Sequence, residues 1–397
     1  MKSCFAQIHF LTSYPSVLLN RDDAGFAKRI PFGGVSRTRI SSQCLKRHWR
    51  TFKGKYGLGD IENAEMSVRS RLTFNEYLLK PLIEEGIDRE LAYAVVQAIV
   101  SEVLGESVKA KKAKADSEPT DDIIRTNQVT VMGHAEMRFL QEQARIICSA
   151  IASSKDAATA VKKHFSKDAS KNLKGLKRAA GLDAALFGRM VTSDILSRGD
   201  AAVHVAHAFT VHSESSESDY FSAVDDLMVS EGELGSGHIN SVELNSGLFY
   251  GYVVVDVPLL IGNIEGCPGS EWQNADRTMA AEVMKRLIPI IATVSPGAKL
   301  GSTAPHSYAQ MMLVEFGDDQ PRTLANAFLK PVSETPDLLG NAYRAIGNHI
   351  AEMARVYGNS TEFRFMGVGP VDHLNLGESE TLDSLSSWAS DRVLDVF

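Results

Sequence analysis

The sequence predicts an α+β protein of ferredoxin-like type, its core split by a helical insertion and followed by a projecting hairpin or arm. Three observations carry this. The chain opens with an alternating strand and a capped amphipathic helix. Residues 60–188 change to a 3–4 periodicity. Strand–helix–strand–helix sequence then returns and runs to the end, without an internal repeat.

In the opening strand Ala6, Ile8 and Phe10 share one face, and Gln7 and His9 the other. Lys2 and the residues after it imitate a short leader, but Gln7 and His9 interrupt the apolar run and no small-x-small site follows. No stretch approaches 18 apolar residues, so neither a membrane span nor a membrane partner is expected, and the expected location is cytoplasmic.

Residues 20–55 follow. Between Ala24 and Gly59 there is no acid, while nine Lys and Arg fall in the same window of a chain whose formal charge is −7. Charge segregated in this way is the footprint of a polyanion site. Ser41 or Ser42 suits the N-cap of a helix reaching about Phe52. Leu45, Trp49 and Phe52 should face the core, with Gln43, Lys46, Arg47 and Arg50 opposite. Lys46 and Arg50 form a like-charge i, i+4 pair, which costs an isolated helix ~0.2–0.5 kcal/mol; phosphates against that face would reverse the sign. The Pro31-Phe32-Gly33-Gly34 turn is expected to bring backbone close to a ligand.

Within the insertion, residues 74–81, 91–103 and 133–152 have helical spacing, separated by the polar segment 109–119. The lysine-rich stretch 162–178 is expected to be a solvated helix face. Strand sequence resumes at Met190-Val191-Thr192-Ser193 and over 202–212. Residues 213–245, rich in Ser, Glu, Gly and Asp, suggest the arm. Residues 248–257 and 310–316 are strand-like, and 277–294 is a helix interrupted by Pro289. Leu338, Ala342, Ile346, Ile350, Met353 and Tyr357 make a helical stripe closed by Gly358.

The bulk numbers limit the function classes. At 397 residues, 44% hydrophobic and 23% charged, the chain can bury a large core in two to three domains, and extensive disorder is excluded. The acidic balance excludes a wholly basic nucleic-acid coat, so any polyanion must occupy a defined groove. Four scattered cysteines without C-x-x-C spacing fit a reducing compartment and offer no zinc motif.

Several segments together resemble a known family. Leu19-Asn20-Arg21-Asp22-Asp23, Phe32-Gly33-Gly34, Arg39-Ile40-Ser41-Ser42-Gln43 and Leu45-Lys46-Arg47 are similar to the type I-E CRISPR Cascade backbone subunit, the CasC family. Gly188-Arg189-Met190, Ala206-His207-Ala208, residues 221–227, Pro296-Gly297-Ala298-Lys299 and Ala325-Asn326-Ala327-Phe328 continue the resemblance in order. It implies an RNA-recognition-like palm (1–58, 189–212 and 246–397), a helical fingers insertion (59–188) and a thumb hairpin (213–245). The implied function is non-catalytic: several copies stack as a filament on one crRNA guide and support target DNA recognition through it, beside other Cascade subunits, in antiviral defence. The implied guide contacts are Arg21, Lys28, Ser41, Gln43, Lys46 and Arg50, with Met190 wedging against bases and Phe221, beside Tyr220, in the thumb. No cofactor is implied.

Single-stranded RNA is held by cations on its phosphates and flat side chains on its bases, which suits these residue types. About four phosphate contacts per subunit would give a log K versus log salt slope near −3, at ~0.7 per phosphate. The alternative reading is a metal-dependent ribonuclease of the type III CRISPR backbone kind, using Asp22-Asp23 or Asp225-Asp226. Aspartates solvated or paired beside Arg21 are the expectation instead. His204 and His207 fall on opposite faces of a strand and no carboxylate or cysteine completes a set with His212, so no metal site is expected. Gly33-Gly34 lacks the lysine-serine of a phosphate-binding P-loop.

Overall fold

The computed structural model describes residues 4–105, 123–166, 169, 172–173, 180–189, 199–224, 236–268, 270–358 and 361–395. The chain divides into two units, one of residues 1–60, 204–258 and 277–397, the other of residues 61–203 and 259–276.

The first unit begins with β1 (Phe5–Val17), a hairpin of β2 (Arg29–Phe32) and β3 (Val35–Ile40), and helix α1 (Ser42–Thr51). Phe32 pairs with Val35 across Gly33 and Gly34, whose φ angles of 63° and 81° make the two-residue turn that matches strand twist. Ser41 caps α1 as expected, its hydroxyl accepting from the Cys44 N–H at 3.3 Å.

The second unit holds the short antiparallel pair β4 (Val68–Ser70) and β5 (Thr130–Met132). Its helices are α2 (Lys80–Glu84), α3 (Arg89–Leu104), α4 (His134–Ala150), α5 (Ala157–Phe165) and α6 (Leu182–Phe187). One apolar core, including Val96, Ile99, Leu140, Ile147, Val161 and Phe165, runs between the helices. Asp183 is fully buried and accepts from the Ser67 N–H (2.6 Å), the Ser67 hydroxyl (2.7 Å) and Arg69. Of the lysine-rich stretch, only Lys162 and Lys163 fall in α5, where both are exposed; most of the rest, like 106–122, lies outside the described residues.

The chain then runs through β6 (Val203–Val205), β7 (Ala208–Thr210), β8 (Ser215–Val224) and the 21-residue β9 (Ser236–Asp256). Helices α7 (Val257–Glu265), α8 (Thr278–Thr293) and α9 (Leu300–Thr303) lead to β10 (Ala309–Gly317), α10 (Leu338–Tyr357), β11 (Glu362–Gly367) and α11 (Leu382–Leu394). The sheet order is β11-β10-β1-β9-β7-β3-β2, with antiparallel pairing at each described ladder. The first part of β9 pairs with β8 from Ser246 outward, and the second with β1 from Asn245 to Asp256. β8 and β9 together form the arm.

Register explains the two faces of the sheet. Ala6, Ile8 and Phe10 lie opposite Val255, Val253 and Gly251 and share a face with them. Phe10 meets Trp49 of α1 edge-to-face, and Gly251 leaves the room for its ring: a Cβ there would sit 2.0 Å from Phe10. Gln7 and His9 face the other way, as expected, yet they are 2% and 0% exposed. That face is covered by α10 and the turn Ala325–Phe328, which pack on Leu11, Tyr250, Met311 and Leu313. Alternation registered the face of each residue but could not register a second layer arriving from some 300 residues downstream.

Two helix expectations are corrected. Pro289 does not interrupt α8, because a helix buried along Val283, Leu287, Ile288 and Ile291 is held by its packing despite the missing N–H. In α10 the stripe is buried at Ala342 and Ile346 but not at Tyr357, the last residue of the helix, which is 77% exposed. No helix of the described residues is long and apolar enough to cross a membrane.

Candidate nucleic-acid interface

The basic stretch folds into a loop, a hairpin and a helix knitted by main-chain bonds. The Lys28 N–H donates to the Asn20 carbonyl (3.0 Å), the Arg39 N–H to the Lys28 carbonyl (2.7 Å), and the Ser41 N–H to Asn20 Oδ1 (2.9 Å). Arg21 bridges to Ala27 across a tight loop, inside which Asp22 Oδ1 accepts from the N–H groups of Ala24 (3.0 Å) and Phe26 (2.9 Å). Gly25, at φ 95°, closes it. The Asp22 side chain is exposed, as expected for a solvated aspartate, and one of its oxygens also shapes the loop.

Arg37 and Arg29, two of the nine cations, are held by internal partners. Arg37 is fully buried and donates to three carbonyls, of Phe32 (3.2 Å), Thr210 (3.0 Å) and Phe328 (2.9 Å). Arg29 is clamped between Glu214 and Glu243 at the root of the arm. The close approach expected at Gly33 is also internal: a Cβ there would lie 1.7 Å from the Leu329 carbonyl oxygen. Gly33→Ala should therefore cost at least ~1–2 kcal/mol from the left-handed backbone alone, with the clash added. A thermal melt unchanged from wild type would contradict that packing.

Lys28, Arg39, Lys46, Arg47 and Arg50 lie on or beside α1. Leu45 and Trp49 are 4% and 1% exposed and anchor its apolar side. Phe52, the C-cap, is half-buried. Gln43 and Arg47 are exposed, Lys46 and Arg50 half-buried on the flank. Burial raises the Cys44 thiol, while the charges of Arg47 and Lys28 draw it down, which places both cations near the first turn. Burial, then Arg39 and Lys28, lower His207, which sits at the same helix end. His207 Nδ1 accepts from the Ser42 N–H at 2.9 Å and lies 3.4 Å from Arg39.

The site residues expected from sequence fall as follows. Arg21, Lys28, Gln43, Lys46 and Arg50 lie on this loop-and-helix surface. Ser41 is 6% exposed and acts through its cap. Phe221 stands on β8 of the arm, 41% exposed beside Tyr220 at 66%, with Lys299 Nζ 5.7 Å from its ring centre. Met190 lies outside the described residues, as do Asp225 and Asp226. Sequence reasoning gives Asn20 and His207 no role at this surface, because their partners lie 21 and 165 positions away.

The histidines considered for metal do other work. His212 is 1% exposed, with Nε2 accepting from the Leu248 N–H (3.1 Å) and Nδ1 2.7 Å from the Ser213 carbonyl. Among the described residues no three His, Cys, Asp or Glu side chains are placed to share a metal ion.

An antiparallel α+β core with a cationic helix packed on its sheet through Trp49 and Phe10 defines a fold class rather than one protein. Comparison with known proteins is narrower. The family described as CT1975-like protein matches residues 6–388, and the chain belongs to that family. Among solved structures it is similar to a chain of a "CRISPR RNA-guided surveillance complex, pre-nicking", with TM-score 0.78 and 27% identity over 99% of this chain and 100% of that one. It shares the fold of a chain from another "CRISPR RNA-guided surveillance complex", with TM-score 0.66 and 24% identity over 98% and 99%. No curated protein matches it.

Proposed function

We propose that this protein is a backbone subunit of a CRISPR surveillance complex of the Cascade kind, type I-E, and that it holds the crRNA guide by its phosphates. The observation that carries the reading is α1, whose apolar side is fixed in the core while Lys46, Arg47 and Arg50 lie on its other side in an acid-free segment. Likeness over nearly the full chain to a protein of an RNA-guided complex supports it.

In this reading Arg21, Lys28, Gln43, Lys46 and Arg50 line the guide's backbone, and Ser41 contributes by shaping the helix start. The order β10-β1-β9-β7, antiparallel throughout, supports the reading of a ferredoxin-like, RNA-recognition palm. The second unit serves as fingers and the β8–β9 arm as thumb, its Phe221 meeting guide bases together with Met190 of a stacked copy. Target DNA is then recognised through base pairing with the guide, other Cascade subunits complete the complex, and the chain works in the cytoplasm without a cofactor. The subunit is not a nuclease, and engagement of Asp22 by two amides favours that over the type III-like alternative.

The test is guide-RNA binding across a salt series for wild type and Lys46→Ala/Arg50→Ala. Each lost phosphate contact removes ~0.7 from the slope of log K against log salt on a single strand. The double variant should bind more weakly and lose ~1.4 of slope. An unchanged slope would remove α1 from the RNA path and this reading with it.

A further inference from the structure

The Phe26 side chain has no place in the contacts above, and its surroundings are unusual for a surface phenylalanine. It is 52% exposed at the end of the Arg21–Ala27 loop. Exposed apolar residues are common singly and need no explanation when their backbone is loose. Here the backbone is held from several sides: the Phe26 N–H donates to Asp22 Oδ1 (2.9 Å), its carbonyl accepts from the Asp22 N–H (2.8 Å), and the next N–H, of Ala27, donates to Glu243 (3.1 Å). Among the described residues the ring has no aromatic or cationic partner.

Charge decides what such a ring can receive. Arg21 and Lys28 stand at the two feet of the loop, where a nucleic-acid backbone is drawn in. Asp22 and Asp23, both exposed, stand nearer the tip and repel phosphate. A strand following the cations would present an uncharged base, and not a phosphate, at the ring. Stacking of a base on an aromatic face is tolerant of sequence, which suits a subunit that must accept any guide.

We infer that Phe26 is a stacking platform for a nucleobase of the bound single-stranded RNA, carried on a preformed loop beside the phosphate-binding surface. This rests on the reading that the loop and α1 face RNA. It adds a base contact on the subunit's own basic surface, apart from any made by the arm.

The test uses the full chain with a guide-length RNA and with the same RNA made abasic. Phe26→Ala should weaken binding to the normal RNA about tenfold, leave its salt slope unchanged, and have no effect on binding to the abasic RNA. Phe26→Trp should retain affinity, and its indole fluorescence should be quenched by normal RNA but not by abasic RNA. The three native tryptophans, Trp49, Trp272 and Trp388, are 1%, 1% and 6% exposed and supply a quiet background. Equal loss on both RNAs, unchanged affinity of Phe26→Ala on the normal RNA, or a change in self-association of the RNA-free protein would overturn the inference. Lys46→Ala/Arg50→Ala, measured in parallel, separates the two failures: a reduced slope in that variant with no Phe26 effect rejects the platform alone.

Discussion

Arg189→Ala should destabilise the second unit by ~3–5 kcal/mol, the cost of stranding one partner of a buried ion pair. Arg189 and Glu136 have side chains each 1% exposed, with Arg189 Nη1 at 2.6 and 2.8 Å from the two carboxylate oxygens. Glu136 also accepts from the Gly133 N–H (3.0 Å) at the start of α4, so the pair fixes the helix entry. Gly188 before it has φ 78°, and a Cβ there would lie 3.0 Å from the Ala201 nitrogen and the Gly199 oxygen. Glu136→Gln should cost less than Arg189→Ala, and Glu136→Gln with Arg189→Met should recover much of the loss by removing both charges. Hydrogen exchange at amides 134–150, read with thermal unfolding, measures this. A single-variant cost below ~1 kcal/mol would mean that water reaches the pair.

The second large effect concerns acid. On the sheet face under α10, Glu315 accepts both guanidinium nitrogens of Arg322 (2.7 and 3.0 Å) and lies 3.1 Å from His9 Nε2. His9 Nδ1 lies 2.9 Å from the Tyr250 hydroxyl, which itself accepts from the Leu324 N–H. Burial alone would raise the Glu315 carboxyl, but hydrogen bonds from His9 and Arg322 and their charges hold it down to about 2. Burial lowers His9 more than Glu315 raises it, so the imidazole is neutral in the fold, donating to Glu315 and accepting from Tyr250.

Both shifts work in the same direction. A carboxyl held below its ordinary value of 4.5 stabilises the fold above that pH, and this is lost as pH falls through 4.5 toward 2. A histidine held below 6.5 must stay neutral, so its share begins to fall as pH drops through 6.5. Stability should decline from about pH 6.5 downward, with roughly 3 kcal/mol resting on Glu315. Glu315→Gln, which removes the charge and keeps the shape, should cost about that much at pH 7 and flatten the profile between 4.5 and 2, and Glu315→Ala should cost at least as much. Melts at pH 7, 5, 4, 3 and 2 test it, and parallel profiles for wild type and Glu315→Gln down to pH 2 would show that the acid response lies elsewhere.

What the sequence made legible follows the range of the interactions. Local patterns identified α1 with its Ser41 cap and its Leu45–Trp49 anchor, because capping and helical spacing act within four residues. Charge counting overstated the basic surface. Arg37 and Arg29 look identical to Lys46 in a window, and only the Phe328 and Thr210 carbonyls and the Glu214–Glu243 pair distinguish them, from more than 170 positions away. Gly33 was marked for close approach, but its neighbour, the Leu329 carbonyl, could not be named from the turn itself. Phe26 went unnoticed because periodicity weighs aromatics as core, and only burial shows which of them the fold leaves outside.

β9 also limits how the arm could change in length. At roughly 3.4 Å per residue its 21 residues span about 70 Å. One continuous strand thus joins the arm to the centre of the sheet, where Tyr250 and Val253 are buried. An odd insertion in the arm half of β9 would invert side-chain alternation against β8, or push the slip toward Tyr250 and Val253. Growth or shortening of the arm is therefore confined to balanced changes in both strands or to the segment joining them. The arm is a cantilever whose root is the hydrophobic core, and its reach is inherited from the register of β1.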